Sequence, residues 1–230
     1  MSNLFFSGKI KMADVIKANH NLILTLSRLS IPFGFGEKSV EEVCKANGIP
    51  VDFFILICNV YTFDDFQPTN DVIENTNLEY LIPYLLESHK YYMVDRLPHI
   101  EHHLHTIANN IDEKYGNILK KFYADYKQEV RNHFDLEEHV VFPYLINLKN
   151  NKIEESYSIN NYKNNHGDLE EQLTDLTQIV YKYLPSNVLS YDITELVFDI
   201  LQLSSDLYKH TLIEEKILIP YIEIWERRNK

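Results

Sequence analysis

The chain of 230 residues is long enough to bury a sizeable core, and its 45% hydrophobic and 24% charged residues exclude a disordered or fibrous protein. A net charge of −12 without a local basic patch disfavours nucleic acid and anionic membrane surfaces as partners. The two cysteines cannot build a disulfide framework, and no secretory signal or membrane-spanning apolar run is recognisable. We therefore expect a cytoplasmic protein that binds neither nucleic acid nor membrane.

Three short helices are predicted in the N-terminal part, over residues 10–30, 40–47 and 52–61. Ser39 is the expected N-cap of the second of these. The polar stretch 64–71 contains acidic residues, Asn and Pro between apolar segments, which is typical of a domain boundary. The chain is accordingly predicted to have a small N-terminal helical domain, residues 1–65, and a second domain, residues 66–230.

Four long amphipathic segments follow this boundary and are separated by loops rich in Asn, Lys, Ser and Pro. They cover residues 76–112, 116–148, 155–184 and 191–226. Helices of this length with short connections favour an up-down bundle. The predicted fold class is therefore all-α, a four-helix bundle preceded by a small helical domain.

The apolar stripes of the second and fourth segments are interrupted by His and Glu. His133 and Glu137 fall on the predicted buried face, where Glu129 is expected to join them one turn earlier, and His210 and Glu214 do the same in the fourth segment. An ionised carboxylate in an apolar interior costs several kcal/mol unless it is paired or binds a metal. We therefore predict metal ligation.

An internal duplication extends this ligand set. The sequence HFDLEEHVVFPYL from His133 matches HTLIEEKILIPYI from His210, an offset of 77 residues. The same offset relates His89 to His166, so each half supplies a lone His and, 44 residues later, a His-xxx-Glu pair. Side chains four residues apart project from one helical face, so both pairs can face the bundle interior.

Four His and two Glu suit two metal ions better than one. With both carboxylates bridging and an oxo or hydroxo bridge between the ions, each ion retains room for a small ligand. Mixed imidazole and carboxylate donors with open positions are typical of non-haem iron, whereas structural zinc prefers a closed site. The alternative, that these are ordinary hydrogen-bonded core groups, is disfavoured by the repetition of the whole constellation.

Further histidines crowd the first segment, among them His99 and His103. His99 is about 15 Å along the helix from His89, so this cluster cannot join the same site. We expect a solvated face there, on which His99 and His103 could hold an adventitious metal. Cys44 and Cys58 lie on short amphipathic helices and are expected to be inert.

The two repeated motifs with His89 and His166 resemble the haemerythrin-like domain of the RIC di-iron proteins, which repair iron-sulfur clusters damaged by nitric oxide or peroxide. The resemblance implies two non-haem irons and a set of six ligands: His89, His133, Glu137, His166, His210 and Glu214. It also implies that Glu129 lies near the metal or its access channel, as a catalytic residue. The N-terminal segment resembles the small domain of that family, but Phe33-Gly34-Phe35-Gly36 stands where the family carries adjacent cysteines.

This resemblance implies iron donation to damaged iron-sulfur proteins, or reduction or removal of nitric oxide, and leaves open whether the protein is an enzyme. Contacts between chains through the small domain would make a homodimer. An alternative is a haemerythrin-like protein that binds or senses oxygen or nitric oxide without turnover. A ferroxidase or peroxidase-like detoxifier is a third hypothesis.

Overall fold

The computed structural model describes residues 5–152, 157–163, 169–183 and 190–229. These residues are mostly helical, and they contain no strand beyond an isolated antiparallel bridge between Lys11 and Ser39. The all-α prediction is confirmed. The α-helices in chain order are α1 (Met12–Ala18), α2 (Leu22–Arg28), α3 (Val40–Ala46), α4 (Val51–Thr62), α5 (Asn70–Asn75), α6 (Leu81–Lys90), α7 (Leu97–Asn109), α8 (Glu113–Leu136), α9 (Phe142–Lys149), α10 (Ile159–Lys163), α11 (Leu169–Tyr183), α12 (Ser190–Ile213) and α13 (Ile219–Arg228).

The N-terminal helices follow the predictions except at one break. Ser39 caps α3 in a capping box with Glu42, whose carboxylate accepts from the Ser39 amide at 2.8 Å. The single helix predicted over 10–30 is wrong, because α1 and α2 are separate. The side chain of Asn19 accepts from the Asn21 amide at 3.1 Å, a local bond that stabilises a turn in place of continuous helix.

Contacts divide the chain into two compact units, residues 1–88 with 209–230 and residues 89–208. In the first unit the polar stretch 64–71 is held by the C-terminal segment. Lys216 is only 9% exposed, and its ammonium donates to the carbonyls of Asp64 at 2.5 Å and Phe66 at 3.1 Å. The two-domain division at residues 65 and 66 stays a prediction.

Two cysteines lie in the buried part of this first unit. Burial raises the pKa of Cys44 to about 12, and burial together with the neighbouring Cys44 raises the pKa of Cys58. At pH 8 the thiolate fraction of Cys44 is therefore on the order of 10⁻⁴. We expect a thiol-reactive dye to label neither cysteine in the folded protein and both in denaturant. Labelling of the native chain within minutes would contradict this expectation.

The four long predicted segments are present as helix in the described ranges. Leu78–Tyr80 forms a 3₁₀ turn before α6, and π-helical segments connect α6 to α7, α8 to α9 and α12 to α13. These π segments are Tyr91–Arg96, Glu137–Val141 and Glu214–Leu218. Within the second unit, α7, α8, α11 and α12 form a helical bundle.

The core of the second unit forms where α7, α8, α11 and α12 contribute their apolar stripes. Fully burying each large apolar side chain contributes roughly 1.5–3 kcal/mol. The buried Tyr123 hydroxyl donates to the Leu97 carbonyl at 2.7 Å, so its burial leaves no unmet donor. Gly116 allows α8 to approach α7 closely, since a Cβ there would lie 2.3 Å from the Ala108 carbonyl oxygen.

No helix in the described residues combines the length and apolar composition needed to cross a membrane.

Candidate metal centre

A buried carboxylate, Glu137, lies at the end of the apolar stripe of α8. The stripe continues through Tyr126, Val130 and Phe134, so the 3.6-residue period places Glu137 on the same face with 0% exposure. Its carboxylate faces two imidazoles. His133 Nε2 is 2.9 Å from one oxygen and His89 Nε2 is 3.0 Å from the other.

The His89 ring is fixed on three sides. It stacks on Phe134 with ring centroids 4.0 Å apart, and Phe142 lies 5.8 Å away in a second stacked arrangement. Its Nδ1 is 2.8 Å from a carboxylate oxygen of Glu138. Because Nδ1 bonds Glu138, a proton there leaves the Nε2 lone pair directed at Glu137 and available to a metal.

The corresponding pair in the second repeat has the same local form. His210 Nε2 is 2.8 Å from Glu214, and these residues are 2% and 0% exposed. Glu137 and Glu214 each begin a π-helical segment, six residues before Pro143 and Pro220 respectively. Since a proline ring clashes with the carbonyl four residues earlier in an α-helix, a wider turn accommodates the proline.

Four buried side chains, which we call the buried cluster, are candidate cation ligands: His89 and Glu137 in the second unit, and His210 and Glu214 in the first. Each offers one ligand atom. Imidazole nitrogens and carboxylate oxygens are donors that suit iron, and the negative charge of the two carboxylates offsets a cation that lacks water around it. The donor set therefore fits metal binding.

His166 lies outside the described residues. The expectation that Glu129 lies on the buried face is wrong, because its side chain is exposed and accepts a hydrogen bond from Gln172. Glu129 precedes the stripe residue Val130 by one position, about 100° around the helix, and lies about 12 Å along the axis from Glu137. A catalytic role for Glu129 stays a prediction.

Sequence reasoning missed two polar groups in this region. Asp206, 77 residues after Glu129 and one turn before His210, is 2% exposed, so the duplication itself pointed to it. Tyr162 donates a hydrogen bond from its buried hydroxyl to Glu137. Its counterpart at the same offset is Leu85, so the repeat gave no signal for this contact.

A third group is Glu138. Its position next to Glu137 in the sequence suggests an exposed side chain, but its carboxylate bonds His89. Replacing Glu138 by alanine should weaken metal binding about 10- to 100-fold, because it removes the group that orients His89, a candidate ligand. The matched control is Glu215→Ala, the exposed equivalent in the second repeat. Competition with a chelator measures both variants, and equal affinities would refute a positioning role for Glu138.

Comparison with known proteins gives a match at the level of a family. No curated protein and no solved structure matches the chain. The family model of the Hemerythrin HHE cation binding domain matches residues 80–222, more than half of the chain. This range contains both His-xxx-Glu repeats and the buried cluster. The chain therefore belongs to the hemerythrin HHE cation-binding family.

Proposed function

We propose that the protein holds two non-haem irons and acts in the repair of iron-sulfur clusters damaged by nitrosative or oxidative stress. The observation that carries the metal assignment is Glu137, a fully buried carboxylate with an imidazole nitrogen within 3.0 Å of each oxygen. The proposed ligands are His89, His133, Glu137, His166, His210 and Glu214.

The contribution of the chain's own residues follows from their contacts. Phe134 and Phe142 cover the ring of His89 and keep water from it, while Glu138 orients that ring. Tyr162 donates to Glu137 and so fixes the position of the carboxylate. Iron, when bound, supplies redox chemistry and open positions for small ligands such as nitric oxide or oxygen.

Cluster repair is supported by the sequence resemblance to the RIC proteins, which extends through the N-terminal segment. By this proposal the protein donates iron to a damaged iron-sulfur protein or removes nitric oxide from it. The test is recovery of activity in an iron-sulfur enzyme inactivated by nitric oxide, with the iron-loaded full chain as the only iron source. We expect recovery with the wild type and with Glu215→Gln, and none with Glu137→Gln. No recovery with fully loaded wild type would refute the proposed repair role.

A second candidate function is reversible binding of oxygen or nitric oxide as a sensor. Phe33-Gly34-Phe35-Gly36 favours it, because this turn holds no thiol where the resembled family carries adjacent cysteines. A sensor should bind and release the gas over repeated cycles with its iron retained, whereas a donor should lose iron to an acceptor protein. Iron content before and after exposure to an apo-cluster protein separates the two functions.

A further inference from the structure

A second group of ligand-type side chains lies on α7 and α12, away from the buried carboxylates. His99, His103 and Asp199 each offer one ligand atom, and these atoms lie within 4.8 Å of one another. His99 and His103 are four residues apart on α7, so both imidazoles project from one helical face, with ring centroids 4.7 Å apart. His99 is ten residues after His89, about 15 Å along the chain of helices, so the two groups are separate sites.

One oxygen of Asp199 is bonded to Arg96 and the other lies close to His99. Its Oδ1 accepts from the Arg96 guanidinium at 2.9 Å. Its Oδ2 is buried and accepts no hydrogen bond from the described part of the chain, although His99 Nε2 is 3.2 Å away. A carboxylate oxygen and an imidazole nitrogen this close, without hydrogen-bond geometry, are placed to share a cation.

The spacing fits a tetrahedral metal ion such as zinc. Zinc binds His nitrogen at about 2.0–2.1 Å and carboxylate oxygen at about 2.0–2.2 Å, so two ligands of a tetrahedral ion are about 3.3 Å apart. The 3.2 Å between His99 Nε2 and Asp199 Oδ2 agrees with this separation. Arg96 opposes cation binding electrostatically, but it also neutralises part of the Asp199 charge and fixes that carboxylate for the histidines.

We propose that His99, His103 and Asp199 bind a divalent transition ion of the zinc class, which connects α7 to α12 and keeps a fourth position open to solvent. A site with two imidazoles binds Zn²⁺ or Cu²⁺ more tightly than Fe²⁺, because both ions stand above Fe²⁺ in the usual order of divalent-metal affinities for nitrogen donors. An open surface pocket adjoins His99, and its exposed walls give ions a path from solvent.

The test titrates the full-length, iron-loaded protein with Zn²⁺ in competition with a chromophoric zinc chelator. We expect about one zinc ion per chain, with the iron content unchanged. His103→Ala should weaken zinc binding at least ~10-fold, and Asp199→Asn should do the same while leaving an oxygen for Arg96. His105→Ala, on the same helix and exposed, is the control and should bind zinc as the wild type does.

A spectroscopic readout distinguishes this site from the buried cluster. Co²⁺ added in place of zinc should give the visible bands of a low-coordinate site in wild type and His105→Ala, and should lose them in His103→Ala. Equal zinc affinity in His103→Ala and His105→Ala, no zinc uptake, or iron released in step with zinc uptake would each overturn the proposal. His103→Ala and His105→Ala have the same buried cluster, so the difference in zinc affinity between them reports on this site whether or not the buried cluster holds iron.

Discussion

Replacing Glu137 by glutamine is expected to remove most of the bound iron while the fold is retained. Glutamine keeps the shape of the side chain and an oxygen that can accept from Tyr162, but it removes the negative charge between His89 and His133. Loss of a charged ligand should exceed the 10- to 100-fold effect of losing a group that only orients a ligand, so we expect affinity to fall more than about 100-fold. Iron analysis after dialysis against a weak chelator measures the loss.

The stability of the metal-free protein is expected to change in the opposite direction from its iron affinity. A buried carboxylate costs free energy when no cation offsets it, so metal-free Glu137→Gln should be as stable as the metal-free wild type or more stable. Glu215→Gln, an exposed change, should alter neither iron content nor stability. Full iron retention by Glu137→Gln would mean that this carboxylate is not a ligand.

Chelation of the metal from the wild-type protein should lower its thermal stability substantially. Glu137 and Glu214 are both 0% exposed, so metal release leaves two buried carboxylates without their cations. A ligand present at about 1,000 times its dissociation constant stabilises the folded state by about 4 kcal/mol. For a chain of this size that corresponds to a decrease in Tm of roughly 10 °C.

The Glu137→Gln variant controls for effects of the chelator itself. Since this variant is expected to hold little iron, the same treatment should leave its melting temperature nearly unchanged. Differential scanning calorimetry with metal analysis of each sample gives both quantities. An unchanged melting temperature in wild type, with metal loss verified, would place the ions outside the buried cluster.

The sequence by itself determined most of the helices and the residue types of the buried cluster. Scarce glycine and apolar residues at a period of 3.6 predicted the four long segments, and the offset of 77 residues paired His133 and Glu137 with His210 and Glu214. Both features are local, because a period and a repeat are properties of the chain alone. The predicted position of Glu129 was wrong, because a helical phase estimated from sequence can be in error by one residue. That error separates the buried stripe, which contains Val130, from the solvent-exposed face, which contains Glu129.

The tertiary structure decided which side chains surround those residues. Tyr162 and Glu137 are 25 residues apart and on different helices, so only packing brings the hydroxyl to the carboxylate. The contact of Glu138 with His89 likewise joins two segments that no helical period relates. Asp199 meets His99 and His103 across about 100 residues of chain, which no spacing rule could anticipate. Helical phase assigns a residue to a face, whereas the partner on that face depends on how the helices pack against one another.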